Sequence, residues 1–167
     1  MARRKSLVFL DVGQGDCFVA DTKSGAIIFD GGSSSEDQVG RYRILPYMKY
    51  LGYQKIQIAV ISHMDIDHYS GIKELLEMGK IKYLGLPEIP KDDTMKKIIG
   101  IAKKRGTTIF YLSRGRQITT KDGSLKVLHP QKNSQMEKNA ASLVMQGKIL
   151  GYRVLLTGDV EKEGEEE

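Results

Sequence analysis

Four side chains able to bind a metal stand within six residues, His63-Met64-Asp65-Ile66-Asp67-His68, directly after the apolar segment 58–62. Two of the chain's three histidines are here. The fold is constrained by this, because four polar groups must be delivered to one point at the end of a buried strand. A continuous helix would not achieve it: at about 100° per residue, Asp65 would face away from His63 and Asp67. The run therefore predicts an irregular loop. Imidazole and carboxylate together suit zinc, manganese or iron, so such a loop reads as half of a two-metal site. The plainer reading is a polar loop in which Asp65 or Asp67 caps a helix beginning near Tyr69.

Composition narrows the class. With 167 residues, 40% hydrophobic and 28% charged, the chain fits one domain with a real core. No apolar run approaches the ~18 residues a membrane span requires, and the basic start Met1-Ala2-Arg3-Arg4-Lys5 leads into too short an apolar stretch for a signal peptide. As written, the chain is expected to be neither secreted nor inserted. Cys17 is the only cysteine, so no internal disulfide, cysteine zinc site or cysteine-linked partner is expected. Its apolar surroundings make it a small core residue. Formal charge is +5, and residues 161–167 carry a net −4, which leaves +9 on residues 1–160. That excess favours a polyanionic partner.

Glycine-bounded apolar strands fill the first third of the chain, over 6–12, 16–21 and 26–30, and read as a meander of hairpins. Helical spacing of Ile44, Leu45, Met48 and Leu51, closed by Gly52, predicts a helix over 44–51. Strand 56–62 leads into the metal loop, and helices are expected over 69–78 and 94–104. Further strands are expected at 107–112, 125–128, 142–146 and 152–157. Neither an internal repeat nor a linker interrupts residues 6–160, and the pattern fits an α/β layered domain.

Other residues gain interest from the metal loop. Asp159 ends the strand Tyr152-Arg153-Val154-Leu155-Leu156-Thr157-Gly158, where a carboxylate is placed to bridge two metals or simply to make a turn. Asp30, at another strand end before Gly31-Gly32, is placed to hydrogen-bond into the loop. The segment Asp11-Val12-Gly13-Gln14-Gly15-Asp16 frames two acids and an amide with glycines that permit close backbone approach. A lone His129 before Pro130 is expected to be an exposed loop histidine.

Together, Asp30-Gly31-Gly32, His63-x-Asp65-x-Asp67-His68-x-x-Gly71 and Gly158-Asp159 resemble the motif series of the metallo-β-lactamase superfamily. The usual loop there is HxHxDH. Asp65 in place of the middle histidine, with Asp11 to Asp16 and Asn139-Ala140-Ala141-Ser142-Leu143-Val144, narrows the likeness to the C-terminal hydrolase domain of ComEC-type DNA-uptake competence proteins. The resemblance implies an α/β fold of αββα sandwich type with a dinuclear centre at the edge of its sheets. Carried over, His63 and Asp65 hold one metal, Asp67 and His68 the second, and Asp159 bridges them. Asp67 also orients the attacking water and is the expected catalytic residue. Asn139, where relatives place a further histidine, joins Asp30, Asp16 and Gln14 as a metal-binding or supporting candidate. An oxygen-rich set favours manganese or magnesium alongside zinc. Lys103, Lys104, Arg105, Arg114 and Arg116 are candidates for tracking a nucleic-acid backbone.

The resemblance also implies a reaction: cleavage of DNA, single-stranded in the first instance, by water that the cations activate for attack on phosphorus. The parent protein would be a membrane channel carrying this domain on its extracytoplasmic side. Relatives supply another histidine well after the Gly-Asp strand, so the chain is expected to be a fragment whose second half is incomplete, with an exposed sheet edge and a tendency to self-associate. Its acidic tail, 161–167, reads as the start of the next helix. Two other functions fit the same residues: a free-standing hydrolase of small phosphorylated or ester substrates, and a non-catalytic module that guides DNA.

Overall fold

The computed structural model describes residues 5–136 and 139–160, and the expected helix start at 161–167 lies outside them. Six strands form one sheet in sequential order: β1 (Ser6–Phe9), β2 (Phe18–Thr22), β3 (Gly25–Phe29), β4 (Ile56–Val60), β5 (Ile81–Pro87) and β6 (Thr108–Leu112). The first three run antiparallel, β1 and β2 linked by the loop 10–17 and β2 and β3 by a tight turn, with Val19 opposite Ile28 and Phe18 opposite Phe29. From β3 to β6 pairing is parallel, because each connection crosses back through a helix. These helices are α1 (Leu45–Tyr50, entered through a π-helical turn at Gly40–Ile44), α2 (Ile66–Glu77) and α3 (Asp93–Lys104). Asp92 caps α3, its side chain accepting from the Met95 N–H at 2.7 Å. A second, antiparallel sheet holds β7 (Gln117–Thr120), β8 (Gly123–His129), β9 (Val144–Ile149) and β10 (Tyr152–Leu156), in the order β10-β9-β8-β7.

Alternation along β2 and β3 explains the layering. Val19 and Ile28 face the helices, where they meet Ile44, Met48, Ile72 and Leu75. Phe18, Ala20, Ile27 and Phe29 face the second sheet and pack with Leu125, Val127, Met145 and Leu156. Every residue of β2 is buried, as a strand covered on both faces requires. Among the described residues all helices lie on one face of the first sheet, so the expected αββα sandwich is present as helix layer, sheet and sheet. None of these helices is long and apolar enough to cross a membrane.

Two strands escape the sequence pattern. β5 is interrupted by Gly85, where the Phe110 ring fills the space a side chain would need. β7 is polar and buries only Ile118. The first strand is also shorter than expected, ending at Phe9 because Asp11 turns the chain by accepting the Gly13 N–H at 3.0 Å.

At the sheet end away from the metal loop, buried Asp21 accepts from Lys5 Nζ at 2.9 Å and from the Tyr53 hydroxyl at 2.5 Å. Asp21→Ala removes the shared acceptor that ties β1, β2 and the segment after α1 together. It is expected to destabilise the protein by roughly 2–3 kcal/mol, read as a shift in the urea midpoint at unchanged slope.

Candidate metal centre

Parallel pairing brings the C-terminal ends of β3 and β4 side by side, and the residues just beyond the two strands build the site. Asp30 comes directly after β3, and Ser62 and His63 stand just past the end of β4. The chain then turns through Met64 and Asp65, and α2 starts at Ile66, three residues before the expected Tyr69. Half of the motif is thus helical: Asp67 and His68 lie in the first turn of α2, not in a loop as the sequence suggests. Asp65 occupies the N-cap position with an extended backbone, yet its side chain makes no capping hydrogen bond. Its carboxylate lies instead 3.4 Å from His63 Nε2. A capping role therefore does not explain Asp65.

The second sheet supplies the remaining ligand candidate. Asp159 lies just past β10, and its Oδ2 stands 3.7 Å from His63 Nε2 and 3.2 Å from His68 Nε2. Asp67 Oδ2 is 3.7 Å from His68 Nε2. Two ligand atoms bonded at about 2.1 Å to one tetrahedral cation sit about 3.4 Å apart, so these separations suit metal ligation. Ligand atoms of His63, His68 and Asp159 all lie within 4.8 Å of one another. His63 Nε2 is buried and has no hydrogen-bond partner, the condition of an atom shaped for a cation. The imidazoles form the floor, and the Asp65, Asp67 and Asp159 carboxylates, 37%, 31% and 42% exposed, form an open rim.

Glycines hold this arrangement by permitting backbone contact. A Cβ on Gly15 would lie 2.2 Å from the Gly32 carbonyl oxygen and 2.6 Å from that of Asp67. Around them Asp16 N–H donates to the Asp67 carbonyl at 3.2 Å and Gly31 N–H to that of His68 at 2.9 Å. The two glycine-bearing segments are thus clamps on the start of α2. Within them Asp30, at φ +58°, turns its buried carboxylate back under the loop. Its Oδ2 accepts from His68 Nδ1 at 2.9 Å and from Ser62 Oγ at 2.7 Å, and its Oδ1 from the Ser62 N–H at 2.7 Å.

Electrostatics separate the two histidines. Burial lowers His63, and the neighbouring His68 lowers it further. Burial acts the same way on His68, but the hydrogen bond and charge of Asp30, with Asp159 and Asp67, outweigh it and hold this imidazole at about 9. Burial also raises the Asp16 carboxyl, with His68 opposing and Asp30, Asp159 and Asp67 adding to the rise. In metal-free protein the raised His68 contributes stability that is complete below its ordinary value of 6.5 and disappears as pH climbs through about 9. His63, shifted downward, acts in the opposite sense, and its effect is confined to pH near and below 6.5. Melting temperature in EDTA is expected to fall between pH 6.5 and 9, by about 2 kcal/mol equivalent after allowance for water at the rim. In His68→Gln the fall should vanish.

The other candidates are distributed unevenly. Asp16 Oδ2 lies 3.9 Å from His68 Nδ1 at the rim. Gln14 is exposed and acts through its backbone, its N–H donating to Ser35 Oγ at 2.8 Å. Asn139 sits in the turn before β9, its carbonyl accepting from the Ser142 N–H at 3.0 Å. Arg114 and Arg116 come after β6, at the sheet end that carries the site. Lys103, Lys104 and Arg105 close α3, which runs back against the parallel strands, so they lie at the opposite end. His129 is not an exposed loop residue: it ends β8, buried, with Nε2 2.6 Å from the Ala140 carbonyl. Cys17 is buried in the helix-side core, and burial pushes its thiol up.

A family model described as the metallo-beta-lactamase superfamily matches residues 10–167. The chain belongs to the metallo-β-lactamase superfamily. Within it, the chain is 32% identical to ComE operon protein 3 of Bacillus subtilis (strain 168) over 95% of its own length and 22% of that protein. It is 27% identical to competence protein ComA of Neisseria gonorrhoeae over 93% of its length and 20% of that protein. The chain thus spans about a fifth of these curated relatives. Among solved structures, the class B3 di-zinc metallo-β-lactamase LRA-12 from an Alaskan soil metagenome shares the fold at a TM-score of 0.56 and 19% identity, over 84% of this chain and 55% of that one.

Proposed function

We propose that this superfamily member is a divalent-metal-dependent phosphodiesterase domain that cleaves DNA, single-stranded in the first instance, within a competence apparatus. One observation carries the reading: Asp159 Oδ2 stands 3.7 Å from His63 Nε2 and 3.2 Å from His68 Nε2, with Asp65 beside the first histidine and Asp67 beside the second. His63 and Asp65 would hold one cation and His68 and Asp67 a second, with Asp159 available to both. Manganese and zinc are the favoured ions, with magnesium a third. When bound, the cations lower the pKa of water and polarise the phosphoryl oxygens. Three carboxylates against two divalent ions leave about one positive charge, which suits an anionic phosphodiester. From its rim position Asp67 would be placed to orient the attacking water. His68 gives up its Nε2 proton when it becomes a ligand, so metal affinity rises with pH.

Support for the nucleic-acid substrate comes from the +9 carried by residues 1–160 and from Arg114 and Arg116 at the site's end of the sheet. Similarity to competence proteins supports the competence setting; a membrane-channel parent with this domain on the extracytoplasmic side is part of the proposal. The test is cleavage of end-labelled single-stranded DNA with manganese or zinc, with Asp67→Ala alongside. Expected are loss of cleavage in EDTA, a rate at least about 10³-fold lower in the variant, and a rate that falls with salt. Metal-dependent hydrolysis of small esters but not of DNA would move the reading to a free-standing hydrolase. DNA binding without turnover would move it to a guiding module.

A further inference from the structure

Ser62 is wholly buried between the two sheets, and nothing in the sequence motif marks it as functional. Its hydroxyl has two neighbours, Asp30 Oδ2 at 2.7 Å and His63 Nδ1 at 3.0 Å. A carboxylate can only accept, so the one hydroxyl proton goes to Asp30. The Ser62 oxygen is then left as acceptor, and His63 must carry its proton on Nδ1. The lone pair of His63 therefore lies on Nε2, the buried atom without a protein partner that faces Asp65 and Asp159. On the other side, Asp30 Oδ2 takes the Nδ1 proton of His68 directly at 2.9 Å.

We infer that Ser62 is a positioning residue that relays the Asp30 carboxylate to His63, so that one buried aspartate fixes the ligating nitrogen of both imidazoles. The chain His63–Ser62–Asp30–His68 spans both halves of the proposed centre. Ser62 is held in register from each side: its N–H donates to Asp30 Oδ1 at 2.7 Å, and its carbonyl accepts the Leu143 N–H at 3.0 Å. The relay couples the two ligand pairs, because moving Asp30 disturbs both rings together. An imidazole without such an outer partner divides its proton between two nitrogens and ligates less well.

The inference rests on the metal-centre reading, and the test separates the two. Histidine tautomers are read by 15N NMR in the metal-free chain, where three histidines keep the spectrum simple. Native His63 is expected in the Nδ1–H form. Ser62→Ala is expected to give a mixture of tautomers at His63, and a 10- to 100-fold loss of zinc affinity by calorimetry. Ser62→Cys is somewhat larger and leaves no cavity but offers only a weak acceptor, and is expected to shift the tautomer as alanine does. If His63 keeps its proton on Nδ1 in both variants, the relay is overturned whatever the zinc affinity. A native chain that binds no zinc while its His63 tautomer responds to Ser62 substitution overturns the metal reading and leaves the relay standing.

Discussion

Asp30→Asn is expected to lower stability by about 3–5 kcal/mol and divalent-metal affinity by at least tenfold, although it changes one atom of the side chain. The carboxylate accepts three hydrogen bonds, from Ser62 N–H, Ser62 Oγ and His68 Nδ1, and is fully buried. An amide retains one acceptor oxygen and points its NH2 group at donors. His68 also loses the charge that holds its imidazole at about 9. Backbone strain is not the cause, since asparagine tolerates the φ of +58° that Asp30 adopts. Thermal melts in EDTA at pH 6.5 and 9 would separate the contributions: the charge-dependent part of the loss should shrink as His68 becomes neutral, and the hydrogen-bond part should persist. A melting curve equal to native at pH 6.5 would contradict the assignment of Asp30 as the site's anchor.

Gly32→Ala is expected to be equally damaging for a steric reason. A Cβ at this position would lie 2.5 Å from the Ile66 carbonyl oxygen, 2.6 Å from the Asp67 carbonyl carbon and 2.6 Å from the His68 nitrogen. All three are backbone atoms of the first turn of α2, so no side-chain rotation relieves the contact. Either α2 moves away, taking Asp67 and His68 with it, or the loop after β3 is displaced. A loss of more than about 3 kcal/mol is expected, with metal affinity falling in parallel. Gly100→Ala is the control: its Cβ would meet nothing within 4 Å in the middle of α3, and it should leave the protein unchanged or more stable by up to about 1 kcal/mol.

The contrast between these glycines shows what a sequence can convey. Asp30-Gly31-Gly32, the Asp11 to Asp16 segment and the His63 to His68 run are compact motifs, and it is their joint likeness to the family pattern, not residue type alone, that reads them as one site. In the fold Asp65 stands beside His63, Asp67 beside His68, and Asp159 within reach of both imidazoles; that they divide two metals among them is the proposal. Ser62 is illegible in the sequence because a serine at the end of a strand is chemically plain until Asp30 is folded beneath it. The basic run at the end of α3 reads as available to a nucleic acid, but parallel strand order turns it to the far end of the sheet. β5 and β7 leave no clear pattern because pairing with neighbours, not their own alternation, makes them strands. His129 reads as exposed because its burial depends on the return of β9 and the turn before it.

The proposed divalent metal centre would be held by His63, Asp65, Asp67, His68 and Asp159. Anomalous diffraction from crystals soaked in manganese, with data collected at its absorption edge, tests this most directly. The expected result is two peaks, one beside His63 and Asp65 and one beside His68 and Asp67, with Asp159 between them and both peaks absent after EDTA. A map with no anomalous density at these side chains, from crystals whose solution contains saturating manganese, would rule the centre out.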